Sequence, residues 1–87
     1  MKTVWKFGFP VDDRFRVSMP AGARILSVQA QRECPCLWAL VDSSAEPEVR
    51  TFRLAGTGHP VDDGLTYLGS FQMAGGRLVW HLFEEAP

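Results

Sequence analysis

The chain has few cysteines and no excess of charge of either sign. Its two cysteines, Cys34 and Cys36, are separated only by Pro35, and a disulfide across that spacing would be strained. Free thiols are typical of a reducing compartment, so the composition predicts a cytoplasmic protein. Nine basic and ten acidic side chains give a formal net charge of −1. This balance argues against binding to a long nucleic acid, which needs a concentrated basic face.

Long apolar runs and helical periodicity are also missing. No apolar run reaches the length of a transmembrane helix, and Lys6 follows Lys2 too closely for the apolar core of a signal peptide. No window of about 11 residues shows the 3.6-residue period of an amphipathic helix. These absences predict a chain without a membrane anchor and without a helical bundle.

Apolar residues instead recur at every second position, which is the period of a β-strand. Turn residues separate the alternating runs at short intervals. The pattern predicts seven strands, over residues 3–9, 14–19, 24–32, 36–42, 48–55, 66–73 and 77–84. The length predicts one domain spanning residues 1–87. The expected fold class is all-β, either a small antiparallel sandwich or a partly closed barrel.

One predicted strand, residues 36–42, is apolar on both faces. It is expected to be a central strand covered on both sides, or to lie in the interface of a homo-oligomer. Trp38 and Trp80 lie in apolar strands, so core packing is the default expectation for both. An indole can also stack on a nucleobase. The candidate stacking residues are Trp38 and Trp5, which stands beside Lys6 and is expected to be more exposed.

The segment Gly56-Thr57-Gly58-His59-Pro60 is the most unusual feature of the sequence. Closely spaced glycines let backbone N–H groups approach an anion, and the Thr57 hydroxyl and the His59 ring add polar groups. Arg53 precedes the loop by three residues, and Arg50 lies in the same predicted strand. The candidate phosphate-binding residues are therefore Arg50, Arg53, Gly56, Thr57, Gly58 and His59. The alternative is a glycine-rich turn that only connects two strands, since no Lys-Ser/Thr pair or helix follows as in known phosphate loops.

Signals for catalysis and for metal binding are weak. No serine lies in the strand-turn-helix context of a nucleophile elbow, and neighbouring carboxylates such as Asp12 and Asp13 would point to opposite sides of a strand. The Cys34-Pro35-Cys36 segment lacks the spacing of a zinc site. We therefore predict a binding protein with no catalytic residues, no metal and no cofactor.

Five segments occur together: VWKF (4–7), MPAGARIL (19–26), PCLWALVD (35–42), GTGHP (56–60) and HLFE (81–84). This combination resembles a family of short proteins from phages, prophages and bacteria. The resemblance implies a phage counter-defence protein in the host cytoplasm. One expectation is a homo-oligomeric sponge that sequesters a small anionic nucleotide, such as a cyclic oligonucleotide signal, without cleaving it. The alternative is an inhibitor or adaptor that contacts a host defence protein, for example a CRISPR complex.

Overall fold

The computed structural model describes residues 1–87 and consists almost entirely of antiparallel strands. In chain order these are β1 (Lys2–Gly8), β2 (Arg14–Pro20), β3 (Arg24–Gln31), β4 (Cys34–Asp42), β5 (Pro47–Gly56), β6 (Thr66–Met73) and β7 (Leu78–Glu84). A 3-10 turn, Ala74–Gly76, joins the last two strands. The seven predicted strands agree with these bounds to within two residues. No helix is long and apolar enough to cross a bilayer.

The strands form two stacked sheets. Sheet A has three strands in the order β1-β4-β3, and sheet B has four in the order β2-β5-β7-β6. Every pairing is antiparallel. The sheets meet closely where β3 faces β6. A Cβ added to Gly69 of β6 would lie 3.5 Å from the side chain of Val28 of β3. The architecture is a small open sandwich, which confirms the predicted all-β class and selects the sandwich over the barrel.

Alternate residues of the central strands fill the space between the sheets. Leu37 of β4 in sheet A, and Phe52 and Leu82 in sheet B, have no exposed surface. The Phe15 ring stacks between the rings of Phe9 and Phe52, at centroid distances of 4.8 and 5.5 Å. No polar or charged residue is buried in this core. The centre of the interior is therefore filled with hydrocarbon, and polar side chains lie on the outer faces, in the loops or, like Arg50 and Glu84, at the end of the space between the sheets.

The outer face of β4 is apolar but has no second layer over it. Trp38 and Leu40 point away from sheet B, because Leu37, Ala39 and Val41 take the alternate positions facing the core. Both outer side chains are only partly buried. The default expectation of a core role is therefore wrong for Trp38. Trp80, in contrast, is partly buried and packs against the core cluster.

Arg50 links the two sheets rather than facing a ligand loop. Its guanidinium forms two hydrogen bonds with the Glu84 carboxylate, at 2.6 and 2.7 Å, and also donates to the carbonyl of Ala23 just before β3. The hydrogen bond to Glu84 raises the pKa of Arg50 above its ordinary value, and burial opposes that rise. The Arg50 and Glu84 side chains are only 17% and 18% exposed. Arg50 thus fastens sheet B to the entry of sheet A.

The hairpin between β3 and β4 turns at Arg32 and Glu33. The predicted strands 24–32 and 36–42 place the turn one residue later, at residues 33–35. Arg32 and Glu33 both have positive φ, 52° and 64°, and a two-residue loop with that combination is a type I′ turn. Asparagine and glycine normally fill such positions, so the sequence gives no signal for it. Cys34 and Pro35 instead pair with β3 as the first residues of β4.

We expect Arg32→Asn to stabilise the protein. Left-handed backbone costs most L-residues about 1 kcal/mol, and asparagine tolerates it better. Urea denaturation should therefore show a rise of about 0.5–1 kcal/mol in the free energy of unfolding. The matched control is Arg77→Asn, because Arg77 has an ordinary φ of −77°. An equal gain in both variants, or none in Arg32→Asn, would contradict the proposed turn strain.

Candidate functional site on the outer face of sheet B

The register of sheet B brings one residue from each of its four strands into a line on the outer face. Arg14 of β2 pairs with Arg53 of β5, which pairs with Phe83 of β7, which pairs with Tyr67 of β6. We term these four residues the cross-sheet row. Because neighbouring strands lie about 4.8 Å apart, the row extends roughly 14 Å across the sheet. It has two guanidiniums at one end and two aromatic rings at the other.

The basic end of the row carries more positive than negative charge. Arg14 donates to the Glu85 carboxylate from Nε and Nη2, at 2.7 and 3.2 Å. Arg53 Nη2 donates to Asp62 at 3.0 Å, and its Nη1 lies 3.6 Å from Glu85. Arg16 follows Arg14 by two residues on β2 and so lies on the same face. It is exposed and forms no ion pair. Three guanidiniums therefore share two contacting carboxylates.

Glu85 stabilises two arginines that would otherwise repel each other. Arg14 and Arg53 are directly opposite on neighbouring strands, an unfavourable arrangement for like charges. The Glu85 N–H is bonded to the Thr51 carbonyl at 2.9 Å, which holds the carboxylate beside both guanidiniums. The hydrogen bond from Arg14 is the main cause of a lowered pKa of Glu85, and Arg53 contributes less. The carboxylate is therefore a fixed counterion of the basic end.

The aromatic end of the row is open to solvent. Tyr67 is 55% exposed, and its ring meets the Phe83 ring edge-on at a centroid distance of 5.3 Å. His81 precedes Phe83 by two residues on β7 and therefore lies on the same face. The centroid of its ring is 6.3 Å from that of Tyr67. His81 Nε2 is 2.8 Å from the Thr57 hydroxyl. This hydrogen bond attaches the start of the 57–65 loop to the outer face beside the row.

The glycine-rich loop closes as a turn and does not present a ring of free amides. The His59 N–H donates to the Gly56 carbonyl at 3.0 Å, and the Thr57 N–H pairs with the Val79 carbonyl at 3.4 Å. Gly58 has a φ of +88°, which suits the third position of such a turn. Among these three loop amides, only that of Gly58 forms no backbone hydrogen bond. The turn from Gly56 to His59 therefore offers one free N–H, that of Gly58, beside a Thr57 hydroxyl that is hydrogen-bonded to His81.

The structure brings some of the predicted site residues together and separates others. Arg53 and Thr57 both belong to the outer face of sheet B. Arg50 does not join them, because residues three apart on a strand point to opposite faces, and its guanidinium is bonded to Glu84. His59 packs against its own turn, since a Cβ on Gly56 would lie 2.9 Å from its Cε1. The predicted phosphate rim is thus only partly assembled.

The two predicted stacking residues lie in the other sheet. Trp5 is on β1 and Trp38 is on β4, and both strands belong to sheet A. Neither indole can therefore stack on a ligand that is held at the loop of sheet B. The aromatic residues near the loop are Tyr67 and Phe83, which no local sequence pattern links to it. Only the strand register identifies them, because they are separated from Arg53 by many residues in the chain.

Groups of metal ligands are absent from this face and from the rest of the chain. No three histidine, cysteine, aspartate or glutamate side chains converge. Cys34 is exposed, and Cys36 is buried and bonded through its thiol to the Cys34 carbonyl. The polar groups beside the cross-sheet row are guanidiniums, the His81 imidazole and the hydroxyls of threonine, serine and tyrosine, namely Thr51, Thr57, Ser70 and Tyr67.

The fold and this face define a small all-β sandwich with a basic and aromatic outer surface. A family model described as Domain of unknown function (DUF7352) matches residues 1–87. The chain therefore belongs to that family. Comparison with curated proteins and with solved structures gave no significant match.

The two sequence-predicted arginines are expected to differ sharply in their effect on stability. Arg50→Ala leaves the largely buried Glu84 carboxylate without its partner, so we expect a loss of roughly 2–3 kcal/mol in the free energy of unfolding. Arg53→Ala removes two ion pairs at the surface, with Asp62 and with Glu85, which keeps Arg14 as its partner, and should cost about 1 kcal/mol or less. Urea denaturation followed by tryptophan fluorescence measures both. Equal losses would contradict the structural role of Arg50.

Arg14→Gln should raise the pKa of Glu85 toward its ordinary value. The folded protein lowers that pKa, so the ion pair contributes stability above the unfolded pKa and loses it as the pH falls through the folded value. Carboxyl ¹³C NMR titration of the protein and of Arg14→Gln measures the shift directly. Arg24→Gln, on sheet A, is the control. An unchanged Glu85 titration in Arg14→Gln would show that the 2.7 Å contact does not persist in solution.

Proposed function

We propose that this protein is a non-enzymatic binding protein that sequesters a small anionic nucleotide on the outer face of sheet B. The observation that carries the proposal is the cross-sheet row, which aligns two guanidiniums with two aromatic rings on one face. A nucleotide has the matching parts, a negatively charged phosphate and a flat base. The ligand class we propose is a cyclic oligonucleotide signal.

The basic end is suited to exchanging a protein carboxylate for a phosphate. Asp62, which pairs with Arg53, is 72% exposed, and an exposed ion pair contributes only about 0–1 kcal/mol. A phosphate can therefore displace this carboxylate at little cost, while Arg16 offers a guanidinium that no carboxylate occupies. Planar guanidiniums bind phosphate oxygens through two parallel hydrogen bonds. The free N–H of Gly58 supplies a further donor beside Arg53. The Thr57 hydroxyl can also donate when His81 Nε2 is the donor of the bond that joins them.

The aromatic end is suited to a base. Stacking of a base on an aromatic side chain contributes about 1–3 kcal/mol, and the exposed Tyr67 ring is supported edge-on by Phe83. The face is open, so one subunit covers only one side of such a ligand. Tight binding generally requires most of the ligand surface to be buried. We therefore include a homo-oligomer in the proposal, with a second copy covering the other side.

Sequestration without turnover is favoured by what surrounds Thr57, whose hydroxyl is hydrogen-bonded to His81. Thr57 contacts His81 at 2.8 Å, but no carboxylate is bonded to the other nitrogen of that imidazole. A hydrolytic triad has a third group, usually a carboxylate, that orients the histidine, and His81 has no such partner. Combined with the resemblance to phage proteins, this supports a counter-defence role in which the protein lowers the free concentration of a host signal in the cytoplasm.

Isothermal titration calorimetry with a panel of cyclic di- and trinucleotides tests this function. We expect binding of at least one of them. Tyr67→Ala should weaken that binding by roughly 5- to 150-fold, the loss of one stacking contact, and Arg53→Gln by about tenfold or more. Arg24→Gln, an exposed arginine of sheet A, should leave the affinity unchanged.

The same experiment separates the proposal from its competitors. Mass spectrometry should recover the bound nucleotide chemically intact, since a cleaved product would indicate an enzyme. Absence of heat with every cyclic nucleotide at millimolar concentration would refute nucleotide sequestration. Equal weakening by Arg24→Gln would place the ligand away from the cross-sheet row.

A second candidate function has its own supporting observation. Sheet A has an outer face with exposed Val4 and Leu26 beside the partly buried Trp38 and Leu40, and no layer of this chain covers it. Uncovered apolar surface with a polar rim is typical of protein interfaces. An inhibitor or adaptor that contacts a host defence complex, such as a CRISPR complex, would use this face. Loss of partner capture in Leu26→Asp but not in Tyr67→Ala would favour it over nucleotide binding.

A further inference from the structure

Strand β1 is an open edge of sheet A. It is the terminal strand of the order β1-β4-β3, and β4 is the only strand with which it makes extensive contact. The Ser43 N–H donates to the Met1 carbonyl, and the Phe9 N–H donates to the Pro35 carbonyl. In an antiparallel ladder the bonded residues alternate, so the odd-numbered residues of β1 bond to β4. The main-chain N–H and C=O groups of its even-numbered residues therefore point outward.

The residues of β1 whose main-chain groups point outward form a regular pattern. They are Lys2, Val4, Lys6 and Gly8, and the side chains of the first three share the outer face of sheet A with Trp38. An added strand would pair its own residues with Lys2, Val4 and Lys6 on that face. Cross-strand pairs of opposite charge and of apolar residues are stabilising, and directly opposed like charges are not. The edge thus favours an acidic, an apolar and an acidic residue at alternate positions of a partner strand.

No acidic residue of β1 satisfies its two lysines. The strand reads KTVWKFG, and the Lys6 ammonium donates only to the neutral Gln31 side chain at 2.9 Å. Asp42, opposite Lys2, accepts hydrogen bonds from Ser44 and from the terminal ammonium. If a partner's carboxylate took the place of the Gln31 side-chain amide, Lys6 would gain a stronger, charge-assisted hydrogen bond. The charge on this edge is therefore complementary to an acidic segment.

A second copy of this chain fits the edge less well. Antiparallel pairing of two β1 strands would bring two further lysines onto the same face, either directly opposite or diagonal to Lys2 and Lys6. Edge lysines are a common device against such self-pairing. The same lysines attract a strand of opposite charge, so they select between partners rather than simply blocking the edge.

We propose that β1 binds an extended acidic segment of a partner protein by strand addition, with carboxylates opposite Lys2 and Lys6 and an apolar residue opposite Val4. The odd positions of the added strand would lie beside Trp5, whose indole is 40% exposed at this edge. This mode of recognition uses main-chain hydrogen bonds for affinity and alternate side chains for specificity. It deepens the second candidate function and does not depend on nucleotide binding, because the cross-sheet row lies on the other sheet.

The test uses the peptide acetyl-TEVVTEV-amide and the intact protein. Binding is followed by ¹⁵N NMR, and hydrogen exchange at the Val4, Lys6 and Gly8 amides is measured with and without peptide. We expect slower exchange at these three amides, because each would gain a partner carbonyl. A peptide with lysine in place of both glutamates should bind at least tenfold more weakly. The double variant Lys2→Glu, Lys6→Glu should reverse that preference.

Two further arms isolate the main-chain contribution. Val4→Pro removes an N–H that points away from β4, so the β1–β4 ladder is retained, and proline is tolerated on edge strands. It should abolish binding, whereas the matched control Val4→Thr should retain it. On the peptide side, N-methylation of both glutamates and of the valine midway between them should also abolish binding, and this arm leaves the protein unaltered.

Several results would overturn strand addition. These are no binding of any peptide, equal binding of the acidic and lysine peptides, binding that survives N-methylation, or shifts confined to sheet B. None of these results bears on calorimetry with cyclic nucleotides. Failure at the edge and failure of the proposed nucleotide function are therefore distinguishable.

Discussion

The alternation of side chains across a pleated strand decides what each residue of this protein can do. Leu37, Phe52 and Leu82 turn inward and form an apolar core without a buried polar group. Their neighbours along the chain must then turn outward, whatever their chemistry. This constraint puts Trp38 on an uncovered face and aligns Arg53 with Phe83. It also separates Arg50 from Arg53, although only two residues stand between them. Core packing and surface chemistry are thus two consequences of one register.

The same alternation explains what could be read from the sequence. A period of two is a local signal, so the seven strands and the all-β class follow from residues that are neighbours in the chain. The loop at Gly56 to His59 is equally local and is a turn, as its glycines indicate. The sequence places the turn between β3 and β4 one residue too late, because the positive φ values of Arg32 and Glu33 are set by the pairing of β3 with β4 and not by the preferences of the two residues.

The candidate site could be predicted only where it is local. Arg53 and Thr57 lie near the glycine-rich loop in sequence and remain near it in space. Tyr67, Phe83 and Arg14 reach the same face through strand order, which is non-local information. Arg50 shows the opposite error, since closeness in sequence implied a shared site that the pleat forbids. In a sheet protein, residues of one strand can act together only if they are an even number of positions apart, so that they share a face. Residues of different strands must in addition be brought side by side by the strand pairing.

The thinness of the sandwich limits the kinds of site that this fold can build. Its Cα extents are 39 × 30 × 16 Å, and stacked sheets lie about 10 Å apart. That gap is occupied by Phe9, Phe15, Phe52 and the aliphatic core, so no ligand can be enclosed between the sheets. Recognition must use an outer face, an edge or a surface shared with another chain. A face gives broad shallow contact with charges and rings, and an open edge gives main-chain hydrogen bonds. The cross-sheet row and β1 represent these two kinds of surface on opposite sheets. The nucleotide proposed for one and the protein segment proposed for the other would therefore not compete for the same residues.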